Sequence, residues 1–530
     1  MIRYLFNSGD ITIFLFCLIY ILYFILIILK FKKNKKLFFI PLIMSIIHML
    51  VYASGSAFFN ILPFYLTIYI ISILIAIYPF IKFKIIIYFL CAICLILSIY
   101  PNKIVNYTRK SKLDAYISLC DYLEENYILS EHKKINYKKL KDEGIKLIEE
   151  NKYYEALDKL VKKHYDGHMG LDFYNTDNNY IIDKIKKFND YGLSLITLDD
   201  GNTIAINVED NLEIKNGDIV VKWNGVPINE AIEKVDLPIS EGLLDNEKIQ
   251  KTFYLSGNGK DSVEVTYIDS NNNEKNIKLN KIEKNLTRAL TSFGLLNHTR
   301  NEEDMHKMLN KNIGYLRVTA EETNFISDTI AYLTGDHITA REKFRKKLRE
   351  LKDQGMTKLV IDIRNNSGGY EEVATALTSL FTKEKMYAFS LGVKKEAELK
   401  KVEDRYIKAD GEFSNLEILV LTSMRCGSAG DGLSLYLSRL DNVTVAGITN
   451  PTGINQETGG YIYMPDNAYI TFPVGLILDN DGKPNIDVDN TRISRNPVDI
   501  KIPLSKEAAL KIFNGEDYEL EWAINFLEKK

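Results

Sequence analysis

Residues 11–100 are almost continuously apolar, whereas from Ser111 onward apolar residues fall into short periodic groups separated by charged ones. Three polar interruptions divide the first stretch: Lys30 to Lys36, Ser54-Gly55-Ser56, and Lys82-Phe83-Lys84. The runs between them, roughly 10–30, 37–55, 63–81 and 85–100, are each near the ~20 residues that cross a hydrocarbon core. The pattern predicts four membrane spans and makes residues 1–104 a multi-span anchor in the lipid bilayer. A cleaved leader would carry one short apolar region followed by small residues, so repeated runs point to an integral anchor.

The placement of basic residues orients those spans. With the N-terminus outside, Lys30, Lys32, Lys33, Lys35, Lys36, Lys82 and Lys84 face the cytoplasm; the opposite arrangement would leave Arg3, Lys103, Arg109, Lys110 and Lys112 there. The bias favours the first arrangement. The protein is then multi-pass in the cytoplasmic membrane, with its large C-terminal part extracytoplasmic. Residues 11–100 hold His48 but no Asp or Glu, and intramembrane ionisable groups usually mark a pathway, so a plain anchor is expected over a sensing or carrying role.

Beyond the anchor the periodicity changes twice. Leu113, Tyr116, Ile117, Cys120 and Leu123 recur at helical spacing, and residues 112–165 read as a small helical module. From about 189 to 285 short alternating runs, a sharp Asn216-Gly217-Asp218 turn and a helix beginning near Asn229 indicate a compact β-rich domain. From 313 onward strand and helix signals alternate: Ile313 to Val318, a helix over 339–354, Lys358 to Ile363, a helix from about 371, Glu417 to Leu421, and a helix after Ser428. Such alternation predicts an α/β layer with its chemistry at the strand C-terminal ends. The expected domains are 1–104, 105–188, 189–285 and 286–530. The fold class is an α-helical membrane anchor followed by an α+β and α/β soluble region.

A net charge of −3 with no basic, aromatic-interleaved patch gives no reason to expect nucleic acid. Of five cysteines only Cys120 and Cys426 lie outside the apolar region, so a disulfide framework is not expected. No His or Cys spacing matches a metal site and no Gly-rich phosphate loop is present, so neither metal nor cofactor is implied.

Cys426-Gly427-Ser428-Ala429-Gly430-Asp431 follows an apolar run and precedes an amphipathic segment, presenting a serine between small residues at a strand-to-helix turn. A hydroxyl attacks well where the backbone turns sharply, N–H groups hold the developing oxyanion and a base takes the proton. Two companions stand upstream: Asp166-Gly167-His168, and Leu359-Val-Ile-Asp-Ile-Arg-Asn-Asn-Ser-Gly-Gly369. Together the three motifs resemble the S41 peptidases, the carboxyl-terminal processing and tricorn-type proteases, over about 112–505. The resemblance implies an α/β protease core of the ClpP/crotonase-like kind. It also implies an oxyanion hole from Gly368 or Gly369 N–H with Ala429 N–H. Asp362 and Arg364 can equally form a structural ion pair at a tight turn.

S41 enzymes come in two catalytic types. The Ser-Lys type carries its lysine in a Thr-x-Gly-Lys-Gly segment some two dozen residues after the serine. The matching stretch here is Gly447 to Gln456, with Ile454 in the lysine position and no lysine between Ser428 and Lys483. The tricorn-like type takes its base from an upstream Asp-Gly-His segment, which His168 with Asp166 fits; an imidazole titrates near neutrality and suits that role. His164, His298, His306 and His337 read as structural. For the acid, the tail segment offers Asp487, slightly favoured, and Asp489. The resemblance also offers Gln456 a supporting polar role near the nucleophile, with a solvated loop residue as the alternative.

Ile214-Lys-Asn-Gly-Asp-Ile-Val-Val-Lys-Trp-Asn-Gly225 resembles the corresponding segment of PDZ domains, which add an extended peptide to a strand edge. An ordinary hairpin is the alternative. The implied function is a membrane-anchored serine endopeptidase acting on extracytoplasmic proteins or peptides. The alternative is a catalytically silent S41-like receptor or scaffold that holds a peptide or ligand.

Overall fold

Strands buried on both faces need apolar residues at nearly every position, and Lys358–Asp362 and Glu417–Leu421 supply them. They lie at the centre of a sheet ordered Ile500–Lys501, Val443–Gly447, Glu417–Leu421, Lys358–Asp362, Ile313–Arg317, His306–Met308. All neighbours are parallel except the antiparallel His306–Met308 edge. Successive side chains point to opposite faces. Leu359, Ile361, Ile418 and Val420 pack with Phe344, Leu348, Leu377, Leu433 and Leu437, which belong to helices Ile338–Asp353, Glu371–Ser379 and Ala429–Ser438. Val360, Leu419 and Leu421 pack instead with Ala509, Ile512, Ala523 and Leu527 of helices Lys506–Phe513 and Tyr518–Lys529.

The computed structural model describes residues 105–173, 180, 189–238, 241–257, 261–282, 287–298, 304–323, 337–395 and 398–530. The four spans expected between 10 and 100 lie outside these residues, and no described helix is long and apolar enough to cross a membrane. One compact unit comprises residues 106–323, 327–458 and 462–530.

A second, antiparallel sheet is built on the long strands Met386–Lys395, Glu398–Ile407 and Ala468–Leu478. Gly170–Phe173 joins it, with Gly170 opposite Thr471 and Leu171 opposite Ile470. This pairing fixes the chain two residues beyond His168. A third sheet runs Ser194–Thr197, Thr203–Ile206, Ile219–Trp223, Ser262–Ile268, Glu274–Asn280 in spatial order. Leu195, Val220, Trp223, Val263, Val265 and Tyr267 share its core. The Asn216-Gly217-Asp218 turn closes with Gly217 at φ 88°, a conformation glycine adopts without a Cβ penalty. Helix Leu244–Leu255 lies against the edge strand Ser194–Thr197, where the Thr197 and Thr252 hydroxyls are 3.3 Å apart.

The helical module consists of Lys112–Asn126, Tyr137–Glu149 and Tyr153–Lys162. The Ser111 hydroxyl accepts from Asp114 N–H at 3.0 Å and the Asn136 carboxamide from Lys139 N–H at 2.9 Å, so side chains satisfy the first orphan donors of two helices. Cys120 and Cys426 are both buried free thiols.

Candidate active site

Parallel register places Asp362 opposite Leu421, so the loops that leave these two strands emerge side by side at one end of the central sheet. The first carries Gly368 and Gly369, the second Ser428. Their approach is close: a Cβ on Gly368 would lie 2.4 Å from the Ser428 Cβ and 2.7 Å from the Gly427 carbonyl oxygen. Both glycines have positive φ, 88° and 147°. Asn366 fixes the turn, accepting from Gly368 N–H at 2.8 Å while its Nδ2 donates to Val318 O at 3.1 Å and Glu321 Oε1 at 2.9 Å.

Ser428 sits at φ 55°, ψ −130°, immediately before helix Ala429–Ser438. A non-glycine residue there is strained. The surroundings hold it: Ser428 N–H donates to Ile454 O at 3.0 Å and Gly427 N–H to Asn366 O at 3.0 Å. The loop carrying Ile454 is held in turn by Asp431, which accepts from Gly453 N–H at 2.7 Å and from Asn496 Nδ2 at 2.7 Å. Ala429 N–H and Gly369 N–H have no hydrogen-bond partner among the described residues, while Gly368 N–H is spent on Asn366.

His168 reaches this turn from the helical module. Its Nε2 lies 3.3 Å from Ser428 Oγ, and its Nδ1 is hydrogen-bonded to Gln456 Oε1. Gln456 opens the strand Gln456–Tyr463, and its Nε2 donates to Asp166 Oδ2 at 3.3 Å. Asp166 also accepts from Tyr127 OH at 2.6 Å and from His168 N–H at 2.8 Å. Burial would push the Asp166 carboxyl up, but Lys133, His168 and the Tyr127 hydroxyl bring it below its ordinary value. Lys133 is buried beside it and donates to His164 O at 3.1 Å and Tyr165 O at 2.8 Å.

Neither Asp487 nor Asp489 is hydrogen-bonded to His168, which corrects the sequence reading of the acid. Asp487 is buried, with Oδ1 accepting from Asn455 N–H at 3.0 Å and Oδ2 without a partner. Burial, with the nearby Asp166 charge adding to it, pushes its carboxyl up to about 7. Asp489 closes a local turn, accepting from Thr491 N–H at 2.8 Å and pairing with Arg495 at 3.5 Å. Backbone folding at each position has claimed the carboxylate that spacing alone offered to the histidine.

His164, His298 and His306 are held in structural contacts. His164 Nδ1 bonds Leu160 O at 2.8 Å, and burial pushes its imidazole down to about 4. His306 pairs with Glu350 at 2.7 Å. His298 meets Arg364 at 2.6 Å and Glu519 at 3.2 Å. Arg364 is fully buried and bridges Asp362 at 2.7 Å, Asp517 at 2.7 Å and Glu519 at 3.2 Å. The middle motif therefore does both jobs considered for it: its first half is an ion-pair post and its glycines approach the serine. Asn366 was visible in that motif as a polar residue beside the glycines. Tyr127 and Lys133 carried no such signal, since in sequence they read as ordinary residues of a helical module.

A serine at a strained turn, an imidazole within reach and two N–H groups without partners among the described residues are the groups that serine-type peptidases use. Residues 312–492 match the sequence profile of Peptidase family S41, so this part of the chain is an S41 serine peptidase domain. Among solved structures it is similar to mature CPAF complexed with lactacystin, at 12% identity over 78% of this chain and 97% of that one, TM-score 0.53. Mature CPAF alone gives 12% identity, 76% and 95% coverage, and TM-score 0.53. The photosystem II D1 C-terminal processing protease matches at 14% identity over 77% and 98%, TM-score 0.36. The likeness to CPAF is one of fold. Comparison with curated proteins gives no match.

Proposed function

We propose that this S41 peptidase is a membrane-anchored serine endopeptidase that cuts extracytoplasmic proteins or peptides with Ser428 as nucleophile and His168 as base. The observation that carries the reading is the 3.3 Å approach of His168 Nε2 to Ser428 Oγ beside the unpartnered N–H groups of Gly369 and Ala429. The serine proton passes to Nε2 as Oγ attacks the scissile carbonyl carbon. The carbonyl oxygen gains charge against the two N–H groups, and imidazolium then returns the proton to the leaving amine. The amide bond breaks, an ester to Ser428 forms, and water activated by the same imidazole hydrolyses it. No lysine stands at position 454 to replace that base.

The four apolar runs before residue 104 support the anchor, and their lysine placement supports an extracytoplasmic peptidase. The β-rich domain would take a peptide at the Ser194–Thr197 edge, beside helix Leu244–Leu255, whose Thr252 hydroxyl lies 3.3 Å from that of Thr197.

The test is digestion of a disordered reporter protein by the full chain in detergent micelles. Ser428→Ala should lower kcat by on the order of 10⁶-fold and His168→Ala by a similar factor. A folded wild type that binds the reporter without cutting it would instead make the protein a silent peptide receptor.

A further inference from the structure

We infer that Asp166 acts on the catalytic imidazole through the carboxamide of Gln456, an amide relay standing where a Ser-His-acid triad has a direct carboxylate. The inference rests on the Ser428–His168 reading above. Four side chains lie in line: Ser428 Oγ to His168 Nε2 is 3.3 Å, His168 Nδ1 bonds Gln456 Oε1, and Gln456 Nε2 to Asp166 Oδ2 is 3.3 Å. The direct distance from Asp166 Oδ1 to His168 Nδ1 is 3.9 Å, too long for a hydrogen bond.

Donor and acceptor matching forces the proton positions. An ionised carboxylate only accepts, whereas a carboxamide has an oxygen at one end and an NH2 at the other. Asp166 is kept ionised by Lys133, with the Tyr127 hydroxyl and His168 N–H as donors. It therefore takes the NH2 of Gln456, which turns Oε1 towards His168. Nδ1 must then carry the hydrogen, leaving Nε2 bare and aimed at Ser428. The serine proton is accepted at Nε2, the Nδ1 hydrogen stays in place, and Asp166 remains ionised throughout. Asp487 works one step further back: it holds the N–H of Asn455, the residue before Gln456. Asp166 and Gln456 are positioning residues that set which tautomer the base presents.

Asp166→Asn tests the relay. An asparagine keeps an oxygen for His168 N–H, but its NH2 would face the NH2 of Gln456. The Gln456 amide turns over, presents donors to Nδ1, and drives the hydrogen onto Nε2. In the full chain in micelles, with a fluorogenic peptide, kcat should fall about 10²- to 10⁴-fold at unchanged KM, the size expected of a wrong tautomer. Gln456→Leu should fall as far. Gln456→Glu should recover to within about tenfold of wild type, since a protonated glutamic acid still offers Nδ1 an oxygen and donates to Asp166. The double variant Asp166→Asn, Gln456→Leu should be no worse than Gln456→Leu alone.

Multiplying losses in the double variant, or wild-type kcat in Gln456→Leu, overturns the relay. Should Asp166→Asn fail to fold, the Leu and Glu variants at 456 decide by themselves: Leu impaired with Glu recovered supports the relay, and equal kcat in the two refutes it. Turnover retained in Ser428→Ala would sink the underlying serine reading instead, and is scored separately.

Discussion

Ile454 Cδ1 lies where a Cβ on Gly167 would meet it at 2.5 Å, so the side chain in the lysine position of Ser-Lys peptidases packs on the residue before His168. An apolar group there does not supply a proton acceptor. Gly167→Ala is expected to lower kcat/KM about tenfold with a small loss of stability, on the order of 1 kcal/mol from overpacking. Ile454→Val in the same chain should restore most of the activity. Steady-state kinetics of the single and double variants check this, and an inert Gly167→Ala would show that the contact is not transmitted to the base.

The Gly368 turn tolerates no side chain. Alanine would be held at φ 88° with its Cβ 2.7 Å from a backbone carbonyl, and backbone cannot step aside as a side-chain tip can. Gly368→Ala should cut kcat by about 10²- to 10³-fold, the loss typical of a displaced oxyanion donor. Labelling of Ser428 by a fluorophosphonate should slow in parallel. Normal labelling would separate this turn from the serine.

Asp487 gives a pH signature opposite to that of an ordinary salt-bridged acid. Its carboxyl is pushed up to about 7 in the fold, against about 3.9 when unfolded. The unfolded chain thus loses the proton first. The stability linked to this group is fully present below about pH 4 and declines as pH rises to about 7. Asp487→Asn removes that decline, so the variant should gain on wild type by on the order of 4 kcal/mol between pH 4 and pH 7.5 in urea titrations. Turnover should stay within about threefold, and a severe loss would return Asp487 to the triad.

Arg364 predicts the converse. Burial alone would raise the Asp362 carboxyl, but Arg364, Arg317 and the Tyr315 hydroxyl hold it well below the usual carboxylate range. Its stabilisation is present above the unfolded value near 3.9 and is lost as pH falls towards the lower native value. Arg364→Met takes the bridging guanidinium away from the buried carboxylates at 362 and 519 and should cost about 3–5 kcal/mol at pH 7. The deficit should shrink as pH falls through 4, measured by denaturant unfolding. An unchanged deficit at low pH would mean that packing, not charge, accounts for the loss.

The central sheet was legible because strands buried on two faces must be apolar throughout, as in Lys358–Asp362 and Glu417–Leu421. The hairpin Met386–Lys395 with Glu398–Ile407 was not, since its outer strand is exposed at nearly every position and carries charges where alternation would be read. Ser428, His168 and the glycine turn announced themselves through compact motifs. Asp166 and Gln456 were both visible, but not their link, because it spans 290 residues and runs through an amide that no spacing rule marks. Asp487 misled for the complementary reason: it lies at a plausible spacing, but its oxygen is used by Asn455 N–H.

His168 and Ser428 are separated by 260 residues, and the segment bearing His168 is stitched to Ala468–Leu478, which is synthesised after the serine. A chain that ends before this strand holds both side chains but lacks the pairing that brings them together. The strand pairing that holds His168 beside Ser428 therefore forms only when the late strand meets the early one.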